Sequence, residues 1–207
     1  MIVIVDYGVG NIKAIFNIYR HLNIDVLIAK KPEQLEKANK IILAGVGAFD
    51  DSMSRLNDSG MREILDQKVL INQVPVLGIC VGMQMMACSS EEGEEKGLCW
   101  FDNSKVMKIN EHKLISKPKL PHMGWNNVKP IQQHSIFNQI DKSMGFYFLH
   151  SYRFFCDQQY YLGTTHYGTE FPSAVRKNNI FGLQFHPEKS HSNGIKIFKN
   201  FSNLQRC

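Results

Sequence analysis

The stretch that most restricts the fold runs from residue 74 to residue 86, Val-Pro-Val-Leu-Gly-Ile-Cys-Val-Gly-Met-Gln-Met-Met. Its apolar run Val74–Ile79 reads as a strand buried on both faces of a parallel sheet, with Pro75 near the start, where a missing N–H is tolerated. Gly78 and Gly82 bracket Cys80, and helix-forming residues follow at once. Glycines at these offsets let a chain turn sharply from strand to helix without a Cβ clash, a G-x-Cys-x-G form of the nucleophile elbow. The turn leaves one side chain exposed at the C-terminal end of the strand. A thiol there sits at a helix N-terminus, whose partial positive charge favours thiolate. Such a cysteine is either a nucleophile or a small hydrophobe packed into the core. A nucleophile needs a base, and the rest of the chain must supply it.

A candidate base lies near the other end. Residues 180 to 190 read Ile-Phe-Gly-Leu-Gln-Phe-His-Pro-Glu-Lys-Ser, an apolar strand ending at His186 with Glu188 two residues on. Pro187 pushes His186 towards extended geometry, so alternation allows His186 and Glu188 to point the same way. A carboxylate so placed holds an imidazole in one tautomer, and Cys, His and acid complete an activated-thiol mechanism. The plainer alternative is a satisfied surface His-Glu pair. The other seven of the eight histidines show no comparable strand-end acid.

Strand, glycine loop and helix recur along the first half, the grammar of an α/β, doubly wound, mostly parallel sheet flanked by helices with function at the strands' C-terminal ends. Strands are expected at Ile2–Val5, Asp25–Ala29 and Ile41–Leu43, and helices at Ile12–Leu22, from Pro32 through Leu35 and Ala38, and at Gly60–Val69. Asp6-Tyr7-Gly8-Val9-Gly10-Asn11 lacks the third glycine and the later acid of a dinucleotide fingerprint. From Leu98 the pattern changes to short strands (Lys105–Ile109, Trp125–Val128, Gly145–Leu149, Tyr152–Cys156, Tyr160–Thr165), expected to extend the sheet as antiparallel additions. Lys113–Pro121 reads as a basic, solvated loop. Ser173–Arg176 and Ile180–Phe185 read as a hairpin delivering His186, and Asn193–Leu204 as a final amphipathic helix. No Pro-, Gly- or Ser-rich linker interrupts the chain, so a single domain over residues 1–207 is expected.

A net charge of +5 is spread along the chain rather than blocked, which fits a solvated surface and no nucleic-acid groove. No apolar run approaches bilayer length, and Met1 leads directly into a strand, so neither membrane nor signal peptide is expected. Five cysteines, an odd number without paired spacing, point to free thiols in a reducing, cytoplasmic setting. No Cys or His cluster has metal-ligand spacing, so no metal is expected, and the thiol chemistry read above implies no organic cofactor.

Gly-Ile-Cys-Val-Gly-Met-Gln together with Phe-His-Pro-Glu-Lys-Ser resembles the class I, triad-type glutamine amidotransferases. Asp6–Asn11, Gly45–Phe49, His122–Asn126, Phe146–Tyr152 and Pro172–Lys177 narrow the resemblance to the glutaminase subunits of imidazole glycerol phosphate synthases, over nearly the whole chain. The resemblance implies hydrolysis of L-glutamine with Cys80 as nucleophile, His186 as base and Glu188 as its orienting acid. The ammonia would pass to a (β/α)₈-barrel cyclase subunit, the partner in a heterodimer. Acyl transfer profits from two oxyanion donors; Val81 N–H supplies one at the elbow, and the resemblance puts the second at Val46. Read locally, Gly45-Val46-Gly47 is equally a tight turn. Ala44 stands where the family commonly has proline, which loosens the approach to that loop.

The resemblance also assigns Gly47, Gln84, His150, Ser151 and Tyr152 to the glutamine site, and Glu92 to the substrate's α-ammonium group. Locally, Gln84 is a polar helix residue and Glu92 one of a solvated acidic cluster. His122 shows no catalytic partner in sequence, and the resemblance places it near the synthase interface. Two other functions fit the same chain: a paralogous glutaminase feeding a different synthetase, such as one aminating a surface-polysaccharide sugar, or a catalytically silent binding module.

Overall fold

The computed structural model describes residues 1–114 and 119–205. Strands β1 (Ile2–Val5), β2 (Val26–Ala29), β3 (Lys40–Gly45) and β4 (Val76–Cys80) alternate with helices α1 (Ile12–His21), α2 (Pro32–Leu35), α3 (Phe49–Asp58) and α4 (Arg62–Asp66). The helix expected at Gly60–Val69 is α4 running on into a π-helical turn, Gln67–Ile71. A short α5 (Val81–Gln84) leaves β4, followed by β5 (Ser89–Ser90) and β6 (Lys105–Lys108). Then come β7 (His122–Asn126), β8 (Lys129–Pro130), β9 (Phe146–His150), β10 (Tyr152–Phe155), β11 (Tyr161–Tyr167), β12 (Thr169–Lys177), β13 (Ile180–Leu183) and helix α6 (His191–Asn203).

The main sheet has the order β2-β1-β3-β4-β13-β12-β11-β8. Its first five strands run parallel, and β12, β11 and β8 add antiparallel pairings. Every residue of β1, β4 and β13 is buried, which is why these strands read as continuous apolar runs. Helices α1 and α6 cover one region of the sheet together, with Tyr19 edge-on to Phe198 at 5.4 Å between ring centroids. Of the stripe expected to face the sheet on the last helix, Ile195, Ile197, Phe198 and Phe201, the last three are buried, whereas Ile195 is exposed.

The expected extension of the sheet needs correction. Of the short strands, β11 and β8 join the main sheet, whereas β10, β6 and β5 form a separate three-stranded sheet and, among the described residues, β7 pairs with β9 alone. Alternation shows that a segment is a strand but says nothing of which strand it pairs with. The basic loop expected at Lys113–Pro121 lies partly outside the described residues.

Candidate active site

Strand order steps from β1 out to β2 and then back to the other side of β1 for β3, so the loops after β1 and β3 leave on either side of a topological switch point, where open α/β sheets place their ligands. The loops after β1, β3, β4 and β13 all open at this end. Cys80 closes β4 with φ 55° and ψ −114°, the left-handed, strained turn expected of an elbow. Gly82 makes the turn feasible, since a Cβ there would overlap the Leu43 carbonyl of the neighbouring strand. Gly45, opposite Cys80 in the β3–β4 register, is also closely packed, and a Cβ would come within 2.7 Å of the Tyr7 hydroxyl. Tyr7 donates to the Ala44 carbonyl at 2.9 Å, so the loop carrying Val46 is tied at its base to the first strand despite the missing proline. Gly47 has φ +97°, the conformational freedom the Gly-Val-Gly loop implied.

β13 lies next to β4 and in parallel, bringing His186 beside Cys80 from the far end of the sequence. His186 Nδ1 is 2.9 Å from Glu188 Oε1, and both side chains are 2% exposed, so the pair is internal rather than a surface ion pair. The backbone around it is fixed: His186 N–H donates to the Tyr147 carbonyl, and the Ser190 hydroxyl donates to the His186 carbonyl. Burial alone would lower the His186 pKa, but the Cys80 sulfur and the Glu188 carboxylate raise it more, to about 10. Cys80 and Glu188 thus both favour the protonated form of the imidazole, as a group that is to accept a proton requires.

These groups open onto a cavity of about 270 Å³, near the small end for ligand sites, suiting a substrate of amino-acid size. Val46, Gly47, Cys80, Val81 and His186 line it on the sheet side. Gln84, Glu92, His150, Ser151 and Tyr152 line it as well, with Pro121 and Leu149, so each residue assigned to substrate reaches the same space. Glu188 stands behind His186, outside the lining.

Glu92 accepts from the Phe49 N–H at 2.9 Å, while its neighbours Glu94 and Glu95 donate their N–H groups to Asp50. Glu91 accepts from the Lys108 N–H and pairs with Lys105. The loop is pinned by these bonds while Glu91 and Glu94 stay exposed, as the solvated reading of the cluster had it, and Glu92 is half-buried. Partial burial raises the Glu92 pKa, the Phe49 N–H opposes that, and Asp50 adds to it. A carboxylate held in this way gains most from an incoming cation.

The chain matches the family described as glutamine amidotransferase class-I over residues 3–204. It belongs to the class-I glutamine amidotransferases. It is similar to imidazole glycerol phosphate synthase subunit HisH of Bdellovibrio bacteriovorus, 50% identical over 99% of this chain and 100% of that one. The subunit of the same name from Leptospira interrogans is 45% identical over the same shares. Among solved structures, PurLQS from Thermotoga maritima shares the fold, with a TM-score of 0.70 at 16% identity over 98% of this chain and 97% of that one.

In this amidotransferase the structure also brings to Cys80 a residue the sequence did not single out. Gln184, fully buried, points its Nε2 at Cys80 Sγ at 3.9 Å and accepts from Gln84 Nε2 at 3.1 Å. A signal for it existed: a lone amide inside the apolar run Ile180–Phe185, two residues before His186 and so on the same strand face. His150 has both ring nitrogens engaged, one with His122 and one with the Tyr152 carbonyl, which leaves its ring no hydrogen bond for a substrate carboxylate.

The expectation of free thiols also needs correction. Cys88 and Cys99 form a disulfide, while Cys80 and Cys156 are free and buried. The loop between the paired cysteines folds back through Gly97 N–H to the Cys88 carbonyl and Cys99 N–H to the Ala87 carbonyl, a return path the spacing does not reveal. Glu92 lies within that closed loop.

Proposed function

We propose that the chain is the glutaminase subunit of an imidazole glycerol phosphate synthase, releasing ammonia for a cyclase partner in histidine biosynthesis. The observation that carries the chemistry is the strained Cys80 elbow beside the buried His186–Glu188 pair, both at one amino-acid-sized cavity. The pathway rests on relatives of that name, at up to 50% identity across almost the entire length.

Glutamine enters with its α-ammonium group on Glu92 and its α-carboxylate against Ser151 and the backbone of residues 150–152. Cys80 sulfur attacks the side-chain amide carbon, and its proton is taken by His186. The resulting oxyanion is held by Val81 N–H and, when the loop is set, by Val46 N–H. His186 then protonates the departing ammonia, leaving a thioester on Cys80. Water, losing its proton to His186, hydrolyses that thioester to glutamate. Glu188 fixes the imidazole and stabilises its cation.

The partner is a (β/α)₈-barrel cyclase in the cytoplasm, meeting this chain, a single domain, as a heterodimer. Met123 at 62% and Trp125 at 46% exposure on β7 provide apolar surface for that contact. The test is glutamate release by the full chain, alone and with the protein that co-purifies with it. Cys80→Ser should abolish release without altering the melting temperature. Release at the wild-type rate in that variant removes Cys80 as nucleophile, and a co-purifying sugar amidotransferase would assign the chain to another pathway.

A further inference from the structure

A ladder of buried polar side chains runs behind the cavity. His122 and His150 face each other in the β7–β9 register, with His122 Nδ1 at 2.9 Å from His150 Nε2. His150 Nδ1 lies 2.7 Å from the Tyr152 carbonyl. A carbonyl only accepts, so Nδ1 of His150 carries the proton and its Nε2 accepts in the neutral ring. His122 Nδ1 is then the donor, and His122 Nε2 is left as an acceptor.

Asn126 Nδ2 meets that nitrogen at 3.1 Å. The orientation of this amide is fixed independently: Oδ1 accepts from the Asn127 N–H at 2.8 Å, and Nδ2 also donates to the His166 carbonyl at 3.0 Å. The assignment is the same from either end, and every donor meets an acceptor. Protonating either ring would set two donors against each other.

The far end of the ladder is the cavity wall. The Tyr152 carbonyl accepts a second hydrogen bond, from Gln84 Nε2 at 3.0 Å, and Gln84, His150 and Tyr152 all line the cavity. His122 does not line it. Its ring lies stacked between Tyr167 and Phe148, with centroids at 4.0 and 4.7 Å, which sets the direction of its N–H. Resting on the reading of the cavity as a glutamine site, we infer that His122 is a positioning residue. Its Nδ1–H fixes the tautomer of His150, and through it the Tyr152 carbonyl and the Gln84 amide that bound the substrate. Burial supports the neutral forms, lowering His122 to about 4 and His150, with His122 adding to the effect, to about 3.

The test separates positioning from packing. His122→Phe keeps the stacked ring and removes the donor; glutamine KM should rise about tenfold, with kcat within about threefold of wild type. His122→Asn, whose amide N–H falls near the position of Nδ1, should restore most of the KM. ¹⁵N shifts of the wild-type imidazoles should show His150 protonated at Nδ1 and bare at Nε2. Unchanged KM in folded His122→Phe, equal damage from the Phe and Asn variants, or His150 protonated at Nε2 would each overturn the inference. Should His122→Phe fail to fold, the tautomer and Asn126→Leu decide, the latter with an expected KM rise of about threefold. A wild-type chain that releases glutamate with no shift in KM in these variants refutes the ladder alone. One that never releases glutamate, with or without its partner, refutes the cavity reading and the ladder's role with it.

Discussion

Changing Glu188 to Gln tests the triad most sharply, because it keeps the shape of the acid and removes only its charge. The hydrogen bond from His186 is 2.9 Å long, and with both side chains 2% exposed, water cannot replace what the carboxylate supplies. A hydrogen bond to a charged group contributes about 1.5–3 kcal/mol and a neutral one roughly half as much, so the imidazolium should lose about 1–2 kcal/mol. That corresponds to a roughly 5- to 30-fold drop in kcat. His186→Ala removes the proton carrier itself and should cost about 10²–10⁴. Stability should fall with the loss of the buried counter-charge to His186, while the amide nitrogen takes the place of Glu188 Oε2, already buried without a partner.

The pH dependence has a defined sign. The His186 pKa is raised from 6.5 to about 10, so its contribution to stability is complete below about pH 6.5 and is lost as pH climbs towards 10. In Glu188→Gln that alkaline loss should begin at lower pH. The assays are glutamate release at saturating glutamine and the pH profile of Cys80 alkylation by iodoacetamide. Wild-type kcat in Glu188→Gln, or a loss as large as that of His186→Ala, would refute an orienting and charge-stabilising role.

Glu92→Gln should raise glutamine KM about tenfold with little change in kcat, since it removes the counter-charge for the α-ammonium group without touching the reacting atoms; steady-state kinetics decide. His122 and His150 are held below their ordinary value of 6.5, at about 4 and about 3, so the stability they contribute is present above pH 6.5 and lost as pH falls through those values. Melting curves between pH 7 and pH 3 should show that loss, and His122→Asn should reduce it. Cys88→Ser opens the disulfide loop and should lower stability by about 3 kcal/mol for a loop of this size, measured by urea unfolding, with a higher glutamine KM because Glu92 rides on the freed segment.

Much of this site was legible in the sequence because its parts sit at the ends of buried strands. A strand covered on both faces must be a continuous apolar run, so Ile2–Val5 and the run ending at Cys80 identified themselves. The glycines around Cys80 had a steric reason visible in one dimension. What stayed hidden depends on pairing across distance. His122 is 28 residues from His150, and Gln84 is 100 from Gln184, with no local pattern announcing either contact. The disulfide escaped for the same reason, and the β10-β6-β5 sheet was misplaced because alternation fixes a face and not a neighbour.

The neighbouring positions of β4 and β13 have a consequence for how the chain is made. Cys80 leaves the ribosome roughly a hundred residues before His186, which at about 5–20 residues per second is on the order of 5–20 s. On the proposed mechanism the nascent chain holds, through that interval, a nucleophile without its base, so glutamine hydrolysis waits for His186. During the same interval β4 is the bare margin of a four-stranded sheet, apolar on both faces and open to any other strand. Insertion of β13 covers that margin and, on the proposed mechanism, supplies the base of Cys80 in the same event, so one strand both ends the exposure of β4 and completes the site.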